Sequence, residues 1–380
     1  MMVGWRFGAS PEIHAVMGDQ SRTKIIRRAI LALDRYLSLQ YSFLPWSRDF
    51  LDHPFIQTAD VIHLHNLHGG YFPYRLLPKL SRIAPLVWSL HDMWAMTGHC
   101  AYSYECERWK IGCGRCPILG EYPPIYTDTT GLHWRIKDRT YRNARMTIVT
   151  GSTWMAGLAK QSPLLNRFAI QTIPYGTDLA VFRPVNKAHA REMLRIPEDA
   201  SVILTFAGSE RRKGGAYLLE ALEKLAVEPR PWLLVAGDRL GGIPPGFPTR
   251  HVGYVNSDEL LNLCYGAADI FVLPTLAENF PLSVLDGLAA GTPTVAFGAG
   301  GVPDLIRHLE TGYLVPERNS EALAQAMRCL LTNVELRLRM GENARRAAER
   351  EFSMDVYAKR YLLLYEEVIK ANQLSLDTRA

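Results

Sequence analysis

The chain runs to 380 residues, 48% of them hydrophobic and 21% charged, with a formal net charge of +5 and a pI near 8.8. That length suits two domains of about 150 residues each, and the composition is that of an ordinary globular protein. The basic excess is small and comes without a Lys/Arg-dense arm, which argues against a nucleic-acid partner; no apolar run approaches the roughly 18 residues of a membrane span.

Met1 to Arg6 lacks the layout of a secretory signal, so a cytoplasmic location is expected. Met2–Phe7 is strand-like. Ser21 to Gln40 predicts a helix with Ile26, Ile30, Leu33 and Leu37 on one face and Lys24, Arg28 and Arg35 elsewhere. It reads as an ordinary packed helix, with an interfacial contact at the inner face of a membrane as the alternative. Val61–His65 and Leu86–Leu90 are strand-like, as are Met146–Val149 and Ile170–Ile173. His63 and His65 share a strand face, with His68 close behind. That is a pattern of some metal-dependent hydrolases, but no further acid or histidine completes the set. His91-Asp92 closes the second of these strands.

Between them lies a cysteine-rich insertion, residues 97–125, with the spacing Cys100-x5-Cys106-x6-Cys113-x2-Cys116. Four thiols in so short a window, ending in a C-x-x-C turn, suit a closed structural zinc site. Two disulfides or four free thiols are the alternatives. Cys264 and Cys329 fall in helical patterns and read as buried apolar residues.

A turn-rich exit, Pro174-Tyr175-Gly176-Thr177-Asp178 and then Phe182-Arg183-Pro184, leads into the second half. There short apolar strands recur at Val202–Ala207, Trp232–Ala236, Ile270–Leu273 and Thr294–Ala296. Helical patterns alternate with them, one around Leu218, Leu219, Leu222 and Leu225, another opening at an N-cap, Ser257. Strand alternating with helix means right-handed crossovers and parallel sheets. The reading is α/β, with an N-terminal domain over 1–184, a second over 185–352, and a C-terminal helix and tail over 353–380. In such folds ligands bind beyond the carboxyl ends of the strands, where Gly208, Gly237 and Glu278 fall.

The most informative stretch follows the Ile270–Leu273 strand: Glu278-Asn279-Phe280-Pro281-Leu282-Ser283-Val284-Leu285-Asp286, closed by Gly291. Pro281 suits the first position of a helix. Two acids then bracket a helix N-terminus, whose free N–H groups and positive dipole end suit a diphosphate while the carboxylates accept from hydroxyls. A nucleotide sugar carries both features. Gly208-Ser209-Glu210-Arg211-Arg212-Lys213-Gly214 also follows a strand and opens a helix; its cations, Lys213 first and Arg212 second, can neutralise a leaving diphosphate. The bland alternatives are a loop acid, a helix-surface acid and a solvated basic turn.

Together with Ile173–Asp178 and Gly300-Gly301-Val302-Pro303-Asp304, these residues resemble glycosyltransferase family 4, enzymes of the GT-B fold with two facing Rossmann-like domains. His63-Leu64-His65-Asn66-Leu67-His68-Gly69, Trp88–Cys100 and Trp109–Pro117 are similar to its colanic-acid branch, which builds exopolysaccharide. The resemblance implies a retaining transfer from a UDP- or GDP-linked sugar to a glycan or lipid-linked acceptor, with no catalytic metal. It implies that Glu278 meets the donor sugar, the backbone at Leu282-Ser283 the diphosphate, Asp286 the ribose, Lys213 the phosphates, and that His91 approaches the sugar from the first domain. Gly208, Arg212, Asn279 and Phe280 complete the expected donor site.

Three features depart from the family. Asp286 stands where glutamate is usual, the basic turn is compressed, and the family's first strand and Gly-rich loop are missing ahead of Val61. Either the chain begins late or a neighbour supplies the element, and a start inside a longer reading frame is the expectation. The rival readings are a silent scaffold that binds nucleotide or a partner protein, a nucleotide-sugar epimerase of the same fold, and a metal-dependent hydrolase.

Overall fold

The computed structural model describes residues 2–3, 14–15, 21–42, 44, 50–208 and 210–377. Strands β1 (Met2–Val3) and β2 (His14–Ala15) pair in parallel as a sheet of their own. Residues 4–7 of the expected first strand lie outside the described residues, as do Phe43, Trp46, Ser209 and 378–380. Most of the stretch in which the family's Gly-rich loop would fall, 4–13 and 16–20, lies outside them too.

The chain divides into two compact units, Met1–Ile173 with Tyr361–Ala380, and Pro174–Arg360. In the first, β3 (Ile62–His65), β4 (Leu86–Leu90), β5 (Met146–Thr150) and β6 (Ala169–Thr172) form a parallel sheet in that order. Every residue of β4 is buried, which accounts for its unbroken Leu-Val-Trp-Ser-Leu composition. The N-terminal helix, Ser21–Tyr36, packs through Ile30 and Leu31, whereas Ile25, Ile26, Leu33 and Tyr36 are 54–73% exposed. The expectation of a fully packed apolar face is thus corrected: Ile26, Leu33 and Leu37 face outward, and only Ile30 of that set meets the core.

In the second unit, β7 (Val202–Ala207), β8 (Trp232–Gly237), β9 (Thr249–Gly253), β10 (Ile270–Leu273), β11 (Thr294–Phe297) and β12 (Gly312–Val315) form one parallel sheet. Its order is β12-β11-β10-β7-β8-β9. β9 and β12 escape the sequence reading because they are edge strands: β9 is half-exposed and polar at Thr249, Arg250 and His251, and β12 opens on a glycine. Counted in chain order these strands run 6-5-4-1-2-3, the doubly wound Rossmann arrangement. The order of succession reverses between β7 and β10, so the connections leaving those two strands run to opposite sides and open a crevice.

Asp269 sets that junction from the opposite end. Its carboxylate accepts from the Val202 N–H at 2.8 Å, and from Lys187 and Arg191 at 2.9 Å each, with Arg337 at 3.4 Å. Burial opposes its ionisation, but Lys187, Arg337 and the Val202 N–H outweigh it and hold the carboxyl below its ordinary 3.8. One side chain thereby ties the start of β7 to the start of β10. Removing one partner of a buried ion pair leaves the others uncompensated, typically a loss of about 3–5 kcal/mol. Asp269→Ala is expected to lower stability by that order in a urea titration, and a change under about 1 kcal/mol would refute this role.

Candidate functional site

After β7 the chain makes a single tight turn, Arg211–Lys213, closed by Gly214 in the left-handed region at φ 68°. A Cβ on Gly214 would lie 1.8 Å from the Pro274 carbonyl oxygen, so the loops after β7 and β10 touch backbone to backbone and only glycine fits. The Arg212 carbonyl accepts from the Leu276 N–H at 2.9 Å and the Thr275 hydroxyl at 3.1 Å, joining the loops again.

The contact delivers the expected charges to one place. The Glu278 carboxylate accepts from Arg212 Nη1 and from Lys213 Nζ, the latter at 3.1 Å. Arg212 also donates to Glu210 at 2.8 Å and to the Ala277 carbonyl at 3.4 Å. The Arg212 and Glu278 side chains are only 16% and 15% exposed, so solvent screens this pair less than an open surface pair. Gly208 lies under the Lys213 stem, where a Cβ would meet Lys213 Cγ at 3.2 Å. Behind Glu278, its carbonyl accepts from the Gly301 N–H at 2.9 Å. Gly300, at φ 58°, would place a Cβ 2.1 Å from that same oxygen. The Gly300–Asp304 motif thus backs the site loop rather than lining it.

Asn279 and Phe280 are buried beneath the loop. Asn279 Nδ2 donates to the Tyr175 hydroxyl at 3.4 Å, and Phe280 packs edge-on to Tyr175 with ring centres 5.3 Å apart. The next helix runs Leu282–Ala290. Pro281 is its N-cap rather than its first residue: the Val284 and Leu285 N–H groups both reach the Pro281 carbonyl, at 3.0 and 3.3 Å. The Leu282 and Ser283 N–H groups precede the first intrahelical bond, which makes them the natural donors to an anion at this end. Leu282 is exposed. The Ser283 carbonyl is taken by the Tyr265 hydroxyl at 2.6 Å. Gly291 ends the helix in the left-handed conformation, as its sequence position predicts.

Asp286 lies one turn in and accepts from the Thr177 hydroxyl at 2.8 Å. Burial pushes its carboxyl up to about 7, against the lowering effect of that hydrogen bond. Thr177 belongs to the exit turn, which is stitched down by Thr177 N–H to the Phe352 carbonyl (2.9 Å) and Met354 N–H to the Thr177 carbonyl (3.1 Å). A Cβ at Gly176 would stand 2.7 Å from that of Tyr357. The sequence reading singled this turn out as a linker. Tyr175, Thr177 and Tyr265 as supports of the site were missed, since nothing local in sequence ties them to residues 100 or 20 positions away.

In the first unit, His91 sits at the end of β4, and its Nε2 is 2.9 Å from His65 Nδ1. His63 hydrogen-bonds Ser89 through Nε2 at 2.8 Å and the Tyr365 hydroxyl through Nδ1 at 2.6 Å. Burial, reinforced by the neighbouring imidazoles, lowers His63 to about 3 and His91 to about 4; burial lowers His65 as well. These rings are neutral at physiological pH. The parallel register sets His65 opposite Ser89, two residues before His91, and so brings His91 to the His63/His65 face. The cysteines of the insertion are free thiols. Among the described residues, no three His, Cys, Asp or Glu side chains are placed as ligands of one metal ion.

Residues 186–347 match the family model for glycosyl transferases group 1. Over 223 residues the chain is 33% identical to the D-inositol 3-phosphate glycosyltransferase of Saccharomonospora viridis, covering 53% of this chain and 51% of that one. Over 248 residues it is 26% identical to the "Putative colanic acid biosynthesis glycosyl transferase WcaC" of Escherichia coli, covering 62% and 59%. The chain spans about half the length of the curated relatives it matches. Among solved structures, sucrose-phosphate synthase from Thermosynechococcus elongatus superposes with a TM-score of 0.67 at 21% identity, covering 88% of this chain and 80% of the other. HepE of Anabaena, in complex with UDP-glucose, superposes at 0.60 and 18%, covering 82% and 80%. The fold is GT-B.

The raised Asp286 carboxyl has a stability consequence. Between 3.8 and about 7 the unfolded chain has lost this proton while the folded chain keeps it, so stability falls as pH rises through that window and stays lower above it. Asn carries no charge at any pH and still accepts from Thr177. Asp286→Asn is therefore expected to raise the thermal midpoint near pH 8 and leave it unchanged near pH 4. Equal shifts at both values would contradict the assignment.

Proposed function

We propose that this chain is a retaining glycosyltransferase of the family 4 kind, moving one sugar from a UDP- or GDP-linked donor to a glycan or lipid-linked acceptor in exopolysaccharide or lipopolysaccharide assembly. The observation that carries this reading is the Glu278 carboxylate, paired with Arg212 and Lys213 beside a helix N-terminus at the switch point of the second unit. The group 1 match over that unit, the colanic-acid relative and the UDP-glucose bound by HepE support it.

The chemistry follows from an exchange of counter-ions. Without donor, the two cations neutralise Glu278. A diphosphate resting on the Leu282 and Ser283 N–H groups gives Arg212 and Lys213 a second anion, and Glu278 is released to accept from sugar hydroxyls. As the bond from the anomeric carbon to the phosphate oxygen breaks, negative charge grows on the leaving diphosphate. The same cations and the helix end stabilise it. The acceptor oxygen bonds to the anomeric carbon on the face the phosphate leaves, and its proton passes to the departing phosphate oxygen. Asp286 holds the ribose, and the role the resemblance gives His91 belongs to this reading.

The decisive experiment is a thermal-shift screen against UDP-, GDP- and ADP-linked sugars, followed by transfer assays with the nucleotide that binds. Glu278→Gln should lose transfer by about a hundredfold or more while binding the free nucleoside diphosphate as well as the unaltered chain. A variant with full transfer activity would end this assignment.

The N-terminal helix supports a peripheral membrane contact within the same proposal. Ile25, Ile26, Leu33, Tyr36 and Leu37 are exposed next to the exposed Arg28 and Arg35, and no described helix is long and apolar enough to cross a membrane. An apolar ridge flanked by cations suits an anionic bilayer surface. Ile26→Glu with Leu33→Glu should reduce co-sedimentation with anionic vesicles severalfold without changing turnover of a water-soluble acceptor; unchanged sedimentation would remove the contact.

A further inference from the structure

The cysteine-rich insertion takes no part in the chemistry above, yet its side chains converge. Cys100, Cys106, Cys113 and Cys116 line one small cavity together with His99. Its free volume is about 10 Å³, room for a single atom-sized occupant. The Gly98 N–H donates to Cys113 Sγ at 3.2 Å, the kind of bond that stabilises a thiolate.

His99 adds an orientation argument. It is buried, and its Nδ1 lies 3.1 Å from the Pro123 carbonyl. A carbonyl can only accept, so Nδ1 carries the proton. The lone pair of the neutral ring is then on Nε2, which points to Cys116 Sγ at 3.3 Å. An imidazole that gives one N–H to a backbone carbonyl and aims its other nitrogen at a cluster of thiols has the outer-shell arrangement of a metal-binding histidine.

The buried Lys137 stands behind the same loop: its side chain donates to the Trp94 carbonyl and, at 3.0 Å, to the Thr97 carbonyl, and Thr97 lines the thiol cavity.

We propose that the insertion holds one zinc ion, taken by four of the five donors Cys100, Cys106, Cys113, Cys116 and His99. Zinc displaces the thiol protons as it binds, one for each cysteine ligand, and leaves a centre with a net charge of −1 or −2 beside Lys137. In the described conformation the side chains line the cavity without standing at ligand spacing; the thiols reach the ion by turning inward about their Cα–Cβ bonds. The metal is structural: all four positions are filled by protein, and it fixes the loop through Trp109 and Pro117.

The test needs no transferase activity, so it stands or falls separately from the reading above. The full chain, reduced, supplied with zinc chloride and desalted, should retain about one zinc per chain. The control Cys329→Ser should retain the same amount, and the double variant Cys113→Ser with Cys116→Ser should retain almost none. Because that variant can fail to fold, cobalt(II) substituted into the unaltered chain provides the second readout: an intense thiolate-to-cobalt charge-transfer band with tetrahedral d–d absorption is expected. Unaltered chain that holds no zinc, a cobalt spectrum without thiolate bands, or freshly isolated chain with these cysteines paired as disulfides would overturn the proposal.

Discussion

The second unit depends on one carboxylate at its back. Asp269 gathers Lys187, Arg191, Arg337 and the Val202 N–H, which fixes the start of β10 against the start of β7. Strands so paired must emerge together at the other end, and between them the order of strand succession reverses. The approach of Gly214 to the Pro274 carbonyl then locks the emerging loops to each other. An ion cluster at the amino end of the sheet and a glycine contact at the carboxyl end together place Arg212 and Lys213 on Glu278.

That placement satisfies the charges of the crevice from within the unit. Arg212 and Lys213 are costly to leave unpaired in a half-buried crevice, and the Glu278 carboxylate neutralises them. Asp286 answers a different problem. It is too deep to ionise freely, so burial holds it protonated to about 7 and Thr177 supplies its hydrogen bond.

The first unit shows where local patterns run out. The alternation in Ile62-His63-Leu64-His65 and the position of His91 after a buried strand were legible, but that the rings meet was not. Their contact depends on β3 pairing with β4 in one register; a shift of one residue would move His65 away from His91. The same holds for His99, which follows a motif residue yet enters the thiol cavity only through the fold of the loop around Pro123. The exposed face of the N-terminal helix was misjudged for a related reason. Periodicity identifies an apolar stripe, and only the neighbours decide whether that stripe or the one beside it is covered.

By itself the sequence determined the class of the protein. Buried parallel strands are written as continuous apolar runs, their ends as Gly or Pro, and a helix start as a proline at its cap; each signal is local and survives without its surroundings. Tertiary structure decided what long-range contact alone can decide: the edge strands β9 and β12, whose polar composition gives no local signal, and the supports Tyr175, Thr177 and Tyr265, which reach the site from distant segments. It also decided the charge state of Asp286, because ionisation depends on the depth and dielectric around a group, and no stretch of neighbouring residues encodes either.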